Sequence, residues 1–206
     1  MSKKPVIVFE GIEGSGKTYH INKVTNFLKK KKIKFIKIRE PGGSLNSEKI
    51  RKLILSNKSN FDKYTDLLLY LAARNENIIK YKKFFRKKII LIDRFTDSTI
   101  AYQHYGLGVN LVLIKKINNF ILKDFKPDLT FLNIVSLDNM KIRLKSRKSL
   151  NRYDKFKLDF YSKVQKGFRK LANMNKTKYK LIDTNLDIKL NSQIIINTIQ
   201  KIIKWT

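Results

Sequence analysis

Short apolar runs recur along the chain, and segments with the spacing of amphipathic helices separate them. Val6–Phe9 is an apolar, β-branched run, which is typical of a parallel strand buried on both faces. After it, Ile21, Val24 and Leu28 lie at helical spacing, with lysines on the remaining faces. The beginning of the chain therefore predicts a strand followed by a helix.

The same alternation continues to the end of the chain. Four more strands are predicted, at 34–38, 88–92, 129–135 and 179–182. Helices are predicted from a Ser47 cap to Leu55, from about Thr65 to Phe85, in two stretches that flank Gly106 and Gly108, after a Ser136 cap, up to about Asn173, and at the C-terminus. We therefore expect one α/β domain over residues 1–206, with a five-stranded parallel sheet and helices on both of its faces.

Polar segments follow three of the predicted strands. These segments are Gly11–Thr18, Arg39–Pro41 and Asp93–Arg94. Ligands of open parallel sheets bind beyond the carboxyl ends of the strands. The three segments are therefore expected to meet in one crevice.

The first of these segments has the pattern of a phosphate-binding loop. Gly11, Gly16, Lys17 and Thr18 satisfy G-x-x-x-x-G-K-[ST], and the strand before it and the helix after it are the context that this pattern requires. A loop of this kind surrounds a nucleoside triphosphate with backbone N–H groups and one lysine. Glu13 places a negative charge in the middle of the loop, and such a charge needs a partner.

The net charge of +30 raises a second possibility, a protein that binds nucleic acid. Only nine of the 46 basic residues are arginines, and the 37 lysines are spread from end to end. A nucleic-acid surface is more typically a cluster on one patch or helix. Lysines on solvated faces are the favoured interpretation, and we expect no sequence-specific nucleic acid partner.

Targeting signals are not evident in the sequence. Only four apolar residues precede Glu10, which is too short for a signal peptide, and no apolar run approaches a membrane span of about 20 residues. Cysteine is absent, so disulfides and thiolate metal sites are excluded. We expect a cytoplasmic protein without a membrane partner.

The residues around the loop narrow the class of nucleotide-binding protein. The guanine box N/T-K-x-D of G proteins is missing, because the nearest strings, at 57–60 and 175–178, lack the aspartate. Asp93 could serve a motor-type ATPase, but Arg94 follows it directly. An aspartate beside an arginine suits a phosphate acceptor, in which the arginine binds the anion and the aspartate helps to hold Mg²⁺.

Six segments together resemble the thymidylate kinases. They are "FEGIEGSGKT", "REPGG", "LLLYLAARNE", "DRFTDSTIAYQ", "FKPDLT" and "RLKSRKSLNRYD", in the family's order and over essentially the whole chain. The resemblance is to bacterial-type members with lid arginines. It implies a P-loop nucleotide-monophosphate kinase fold, a homodimer, and transfer of a phosphoryl group from Mg²⁺-ATP to dTMP in dTTP synthesis.

The resemblance also implies roles for individual residues. Lys17, Arg94 and Arg147 would be catalytic, and Thr18 and Asp93 would serve the metal. The ATP-binding residues would be Gly11, Ile12, Glu13, Gly14, Ser15, Gly16, Lys17, Thr18, Arg143 and Arg152. The dTMP-binding residues would be Glu13, Pro41, Tyr70, Arg74, Arg94, Thr99, Tyr102 and Gln103.

Within this scheme Glu13 would face the sugar of the acceptor, and Tyr102 would exclude a ribose 2′-hydroxyl. Some family members have an arginine in the loop where this chain has Gly14. The missing cation would come from a lid at about 143–154, with Arg147 as the first candidate. Two alternatives stay open, a P-loop kinase for another nucleotide or nucleoside, and an NTP-driven nucleic-acid-binding protein.

Overall fold

A computed structural model describes residues 3–147 and 149–204. Its strands are β1 (Val6–Glu10), β2 (Phe35–Arg39), β3 (Ile89–Asp93), β4 (Leu129–Ile134) and β5 (Tyr179–Asp183). They form one parallel sheet in the order β2-β3-β1-β4-β5. The predicted five-stranded parallel sheet is thus confirmed.

Helices follow each strand of the described chain. They are α1 (Lys17–Lys30), α2 (Leu45–Leu55), α3 (Lys63–Tyr81), α4 (Thr96–Thr99), α5 (Leu111–Leu122), α6 (Leu137–Lys145), α7 (Leu158–Met174) and α8 (Ile188–Lys204). A π-helical segment, Ile100–Gly106, continues α4, and a 3₁₀ turn, Arg152–Lys155, lies between α6 and α7. None of the helices within the described residues is long and apolar enough to cross a membrane.

The central strands are buried on both faces, as their apolar composition predicts. On one face, Phe9 and Phe131 stack at 5.1 Å and pack with Ile21 of α1 and Ile195 of α8. On the other face, the side chains of β1 and β3 pack against α3 and α5. Helices therefore cover both faces of the sheet, as expected.

Two helix starts differ from the prediction. Ser44, not Ser47, caps α2, because the Ser44 side chain accepts a hydrogen bond from the backbone N–H of Ser47. The Ser47 hydroxyl instead accepts from the N–H of Gly42 at 2.9 Å and tightens the loop after β2. α3 begins at Lys63 rather than near Thr65, because Asp62 caps it.

The carboxyl ends of β1, β2 and β3 lie side by side, because β3 is paired with both neighbours. Phe9 is in register with Asp93, and Asp93 is in register with Arg39. The three polar segments that follow these strands are therefore brought together at one edge of the sheet. This edge holds the candidate active site.

Candidate active site

The loop that joins β1 to α1 has a backbone shape that requires glycine. Gly11 has φ 140°, and a Cβ atom there would lie 2.3 Å from the carbonyl oxygen of Asn133 in β4. Gly16, with φ 77°, directly precedes the first residue of α1. The loop thus turns sharply and directs the N-terminus of α1 toward the cleft, where an anion is favoured.

Lys17 is the first residue of α1, and its side chain points back across this loop. The ammonium group donates hydrogen bonds of 2.8 Å to the carbonyl oxygens of Gly11 and Ile12, and one of 3.2 Å to Ser15 Oγ. Burial, and next the positive charge of Arg94, lower the pKa of Lys17 to about 7. The lysine is therefore positioned beside the loop, and a bound polyanion would favour its charged form.

Two side chains bind the carboxylate of Glu13. One carboxylate oxygen accepts a 2.8 Å bond from Arg94 Nη2, and the other accepts from the hydroxyl of Tyr102. Burial by itself would raise the pKa of Glu13, but Arg94, Lys17 and Tyr102 hold it below its usual value. The positive charge that compensates Glu13 thus comes from the segment after β3.

A second acid, Glu10, holds that segment in place. Its carboxylate accepts hydrogen bonds from the backbone N–H groups of Phe95 (2.8 Å) and Ser98 (3.2 Å), and from the Ser98 hydroxyl at 2.5 Å. Burial and the nearby Asp97 raise the pKa of Glu10 to about 7. Arg94, immediately before Phe95, has φ 65°, a left-handed conformation uncommon for arginine. Glu10 therefore stabilises a turn that directs Arg94 back to the loop.

The loop opens onto a cleft of about 310 Å³. Seven basic side chains and three acidic ones line it, which gives it the charge to bind a polyanion. Predicted site residues on its wall are Glu13, Lys17, Thr18, Pro41, Tyr70, Arg74, Asp93, Arg94, Thr99, Tyr102, Gln103 and Arg147. Among the residues described, the cleft thus brings together the predicted catalytic, metal and acceptor-binding side chains.

Arg74 is a buried arginine on the wall of the cleft. Its Nε donates to Glu40 at 2.7 Å, and its Nη1 donates to Asn118 at 2.7 Å. The guanidinium lies 5.2 Å from the centre of the Phe95 ring. Because Glu40, Asn118 and Phe95 fix it from three sides, Arg74 can bind a ligand with little loss of side-chain entropy.

Aromatic side chains form the wall beside Arg74. Tyr153 packs edge-to-face against Tyr70 and Tyr102, with centroid distances of 6.0 Å and 5.8 Å. Gln103 and Thr99 lie on the same wall, and the Thr99 hydroxyl is buried without a hydrogen-bond partner among the described residues. This end of the cleft combines apolar rings with a few polar groups, as is typical of a site for a planar ligand.

The three predicted lid arginines lie in different surroundings. Arg147 lines the cleft, and its Nη1 is 2.7 Å from Asp154 Oδ1. Arg143 belongs to the last turn of α6 and donates to the carbonyl oxygens of Gly14 (2.9 Å) and Thr184 (2.6 Å). The position of Lys148, between these segments, lies outside the described residues.

Arg152 is directed away from the phosphate loop. It forms an ion pair with Asp66 of α3 and donates to the carbonyl oxygen of Ile54 at 3.1 Å. Arg152 is therefore not brought together with the loop residues in this conformation. Its role in binding ATP stays a prediction.

Sequence reasoning missed several residues of the cleft. Arg39 and Glu40 were expected at the crevice, because they follow β2 at the same sheet edge, but neither was assigned a role. Arg51, which donates to the carbonyl oxygen of Pro41 at 2.6 Å, has no local signal in the sequence. The other lining residues outside the predicted set are Lys37, Leu55, Phe95, Ser98, Asn151 and Tyr153.

Two side-chain oxygen groups of the cleft are suited to a divalent cation that binds together with a nucleotide. Within residues 3–147 and 149–204, no group of three or more His, Cys, Asp or Glu side chains could hold a metal ion. The Thr18 hydroxyl and the Asp93 carboxylate line the same cleft. Mg²⁺ in nucleotide sites takes one or two protein oxygens and completes its shell with phosphates and water.

Binding of a polyphosphate is expected to draw a proton onto Lys17. The amine has a pKa of about 7 in the free protein, and a neighbouring polyanion raises that value. Titration calorimetry with inorganic triphosphate, in buffers of different ionisation enthalpy near pH 8, would measure the proton uptake. Wild-type protein should take up nearly one proton more than Lys17→Met, and its affinity should fall as the pH rises above about 7.

An exposed lysine of the same helix, Lys23, provides the control. Lys23→Met should behave as the wild-type protein does. Equal proton uptake by wild-type protein and Lys17→Met would contradict the prediction.

Comparison with known proteins connects this geometry to a family. The sequence model of the family described as Thymidylate kinase matches residues 9–195. The thymidylate kinase of Mycoplasma capricolum subsp. capricolum is 40% identical over 187 residues, which are 88% of each chain. That of Ehrlichia ruminantium (strain Gardel) is 39% identical over 202 residues, 94% of this chain and 96% of the relative.

A solved structure agrees with the sequence comparisons. The crystal structure of thymidylate kinase from Ehrlichia chaffeensis has a TM-score of 0.77 and 32% sequence identity to this chain. The match covers 96% of this chain and 99% of that one. The sheet order, the phosphate loop and the cleft are therefore those of a protein that belongs to the thymidylate kinase family.

Proposed function

We propose that this protein transfers a phosphoryl group from ATP to dTMP, with each substrate bound at one end of the cleft. Membership of the thymidylate kinase family supports this reaction. The observation that carries the proposal is the contact between the phosphate loop and Arg94, since Arg94 donates both to Gly11 and to Glu13. The guanidinium of Arg94 also lies 5.1 Å from the centre of the Tyr102 ring, so one arginine contacts both the loop and the wall proposed for the acceptor.

The donor, ATP, would lie along the loop and the N-terminus of α1. Backbone N–H groups of residues 11–18 would bind its phosphates, and Lys17 would neutralise the β and γ oxygens. Arg143, which bridges Gly14 and Thr184, is close enough to the loop to contact the rest of the nucleotide. Thr18 and Asp93 would hold Mg²⁺, which screens the negative charge of the phosphates when it is bound.

The acceptor, dTMP, would occupy the end with Arg74 and the tyrosines. Arg74 would donate to a carbonyl group of thymine, Tyr70 would stack on the ring, and Pro41 would pack beside it. Thr99 and Gln103 would complete the polar contacts to the base. Glu13 would receive the 3′-hydroxyl of the sugar.

Phosphoryl transfer depends mainly on positive charge around the transferred group and on alignment of the two substrates, and little on covalent chemistry by the protein. Charge in a loose transition state is spread over the oxygens of the transferred group. Arg94 would hold the dTMP phosphate in line with the donor, and Lys17 would stabilise the leaving oxygens. Arg147 would add the cation that the loop, with Gly14 in place of an arginine, does not supply.

A second copy of the chain is the proposed partner. α2, α3 and α5 are neighbours in the fold, and within the described chain they present large apolar side chains to solvent. An apolar surface of this kind marks an interface in a soluble protein. The exposed side chains are Leu45, Leu53, Leu68, Ile79, Val112, Leu113 and Phe120. The cytoplasmic location expected from the sequence stays a prediction.

The acceptor preference should be dTMP over dUMP, and both over UMP. The thymine methyl group is worth about 10- to 200-fold in an apolar pocket. The buried ring of Tyr102 should exclude a ribose 2′-hydroxyl. Coupled assays of ADP release, with ATP and a panel of monophosphates, would measure kcat/KM for each acceptor. Equal values for dTMP and UMP would contradict the proposal.

Arg147→Met should lower kcat by about 10²- to 10³-fold with little change in either KM. The physical reason is that an arginine directed at the transferred group stabilises the transition state more than the bound substrates. Steady-state kinetics would check this. Arg169→Met, which removes an exposed arginine of α7, is the matched control and should leave kcat unchanged. An unchanged kcat for Arg147→Met would remove its catalytic role.

The chain should be a dimer in solution, and Leu68→Glu should convert it to a monomer. Leu68 of α3 is 55% exposed, and a charge there, buried and unpaired in the interface, would strongly disfavour association. Sedimentation velocity would give the mass of each form. Leu186→Glu, at an exposed loop residue, should remain dimeric; a monomeric wild-type protein would contradict the prediction.

A further inference from the structure

Three polar side chains from separate parts of the chain form a continuous hydrogen-bonded series at the acceptor end of the cleft. Asp66 lies in α3, Tyr153 in the 3₁₀ turn after α6, and Gln103 in the π-helical segment. The hydroxyl of Tyr153 donates to Asp66 Oδ2, and Gln103 Nε2 donates to the same hydroxyl oxygen at 3.3 Å. The series thus begins at a carboxylate and ends at an amide on the wall of the cleft.

The direction of hydrogen bonding in this series is fixed at Asp66. This carboxylate is buried, and its other oxygen is paired with the guanidinium of Arg152. An ionised carboxylate only accepts hydrogen bonds. The single hydroxyl hydrogen of Tyr153 is therefore directed to Asp66.

The hydrogen bonding of Tyr153 in turn determines the orientation of the Gln103 amide. Burial, and next the neighbours Tyr70 and Asp66, raise the pKa of Tyr153 well above its ordinary value, so that its hydroxyl stays protonated. With its hydrogen committed to Asp66, the oxygen of Tyr153 can only accept. The side of Gln103 that faces Tyr153 must then be its amide nitrogen, because an amide oxygen there would leave two acceptors opposed.

The other end of the Gln103 amide is left for a ligand. Gln103 lines the cleft together with Arg74 and Thr99, and its Oε1 forms no hydrogen bond within the described part of the chain. An acceptor atom is thereby offered at the base-binding end of the cleft. This oxygen can accept a hydrogen bond from the ring N–H on the pairing edge of thymine or uracil. Cytosine has an unprotonated ring nitrogen at that position, so two acceptors would face each other.

We propose that Asp66 and Tyr153 are positioning residues that orient the Gln103 amide and so select thymine-type bases over cytosine. This inference rests on the proposed function, since it assigns the base of the acceptor to this end of the cleft. Arg74 contributes to the same choice through its own donors. The hydroxyl of Tyr153 also has a hydrogen bond with Tyr70. The contribution of the series is therefore the part that depends on both this hydroxyl and the Gln103 amide.

The hydroxyl can be separated from the ring. The ring of Tyr153 packs on Tyr70, Tyr102 and Phe156, and Tyr153→Phe retains these contacts. Without the hydroxyl, Gln103 Nε2 loses its acceptor and the amide is free to turn over. We expect the preference for dTMP over dCMP, measured as the ratio of kcat/KM values, to fall by about ten-fold, because an unmatched buried hydrogen bond carries a penalty of this size.

The decisive readout is the same comparison in a Gln103→Ala background. If Tyr153 acts through Gln103, Tyr153→Phe should not change the dTMP to dCMP ratio once the amide is absent. A merely structural role of Tyr153 would change the ratio equally in both backgrounds, and this result would overturn the proposal. Tyr64→Phe, at a half-exposed tyrosine of α3, is the matched control and should retain the wild-type ratio.

Two further outcomes keep the test sharp. Thermal melting of each variant identifies any that fails to fold. If Tyr153→Phe does not fold, Asp66→Asn replaces it. The new amide can donate to the Tyr153 oxygen, which frees the Tyr153 hydrogen to turn toward Gln103, and the dTMP to dCMP ratio should fall as well. An unchanged ratio in a folded, active variant overturns the series alone. Absence of dTMP phosphorylation by the wild-type protein would instead remove the proposed function, and the inference with it.

Discussion

The buried ion pair between Arg94 and Glu13 is the interaction on which the cleft depends. The two residues follow neighbouring parallel strands, β3 and β1, and their side chains are only 20% and 11% exposed. Removing one member of such a pair leaves an uncompensated charge in the interior, which is strongly destabilising. The pair therefore fixes the phosphate loop and the segment after β3 relative to each other. Glu10 stabilises the same segment through hydrogen bonds from Phe95 and Ser98. A negative charge in a polyanion site is thus part of its construction.

Acidic side chains are few in this chain, and many of them serve the cleft. Only 16 acidic residues stand against 46 basic ones. Seven of these acids line the cleft or contact its residues, namely Glu10, Glu13, Glu40, Glu48, Asp66, Asp93 and Asp154. Glu13, Glu40, Asp66 and Asp154 each pair with an arginine. A lysine-rich surface can vary without consequence for the site, because the acids fix the arginines that face the ligand.

The sequence allowed the sheet, the loop and most of the cleft to be predicted, because each depends on local patterns. Buried strands appear as apolar runs, and the sheet edge then brings their polar ends together. The cap of α2 was misplaced since both Ser44 and Ser47 are good capping residues, and only the loop geometry decides between them. The surroundings of Arg152 could not be predicted, because its partner Asp66 is 86 residues away in the chain. Tyr153 was missed for the same reason, since nothing near it in the sequence indicates a contact with Gln103.

The π-helical segment has a consequence for how the cleft could change. Residues 100–106 form a wider turn than an α-helix, and Tyr102 and Gln103 both reach the cleft from it. Each residue of an α-helix advances by about 100° around the axis. A deletion before Tyr102 that left the winding of the neighbouring residues unchanged would rotate each following side chain by about that angle. A substitution here changes one side chain. An insertion or deletion would instead change the direction of Tyr102, Gln103 and the residues after them together, and so alter several ligand contacts at once.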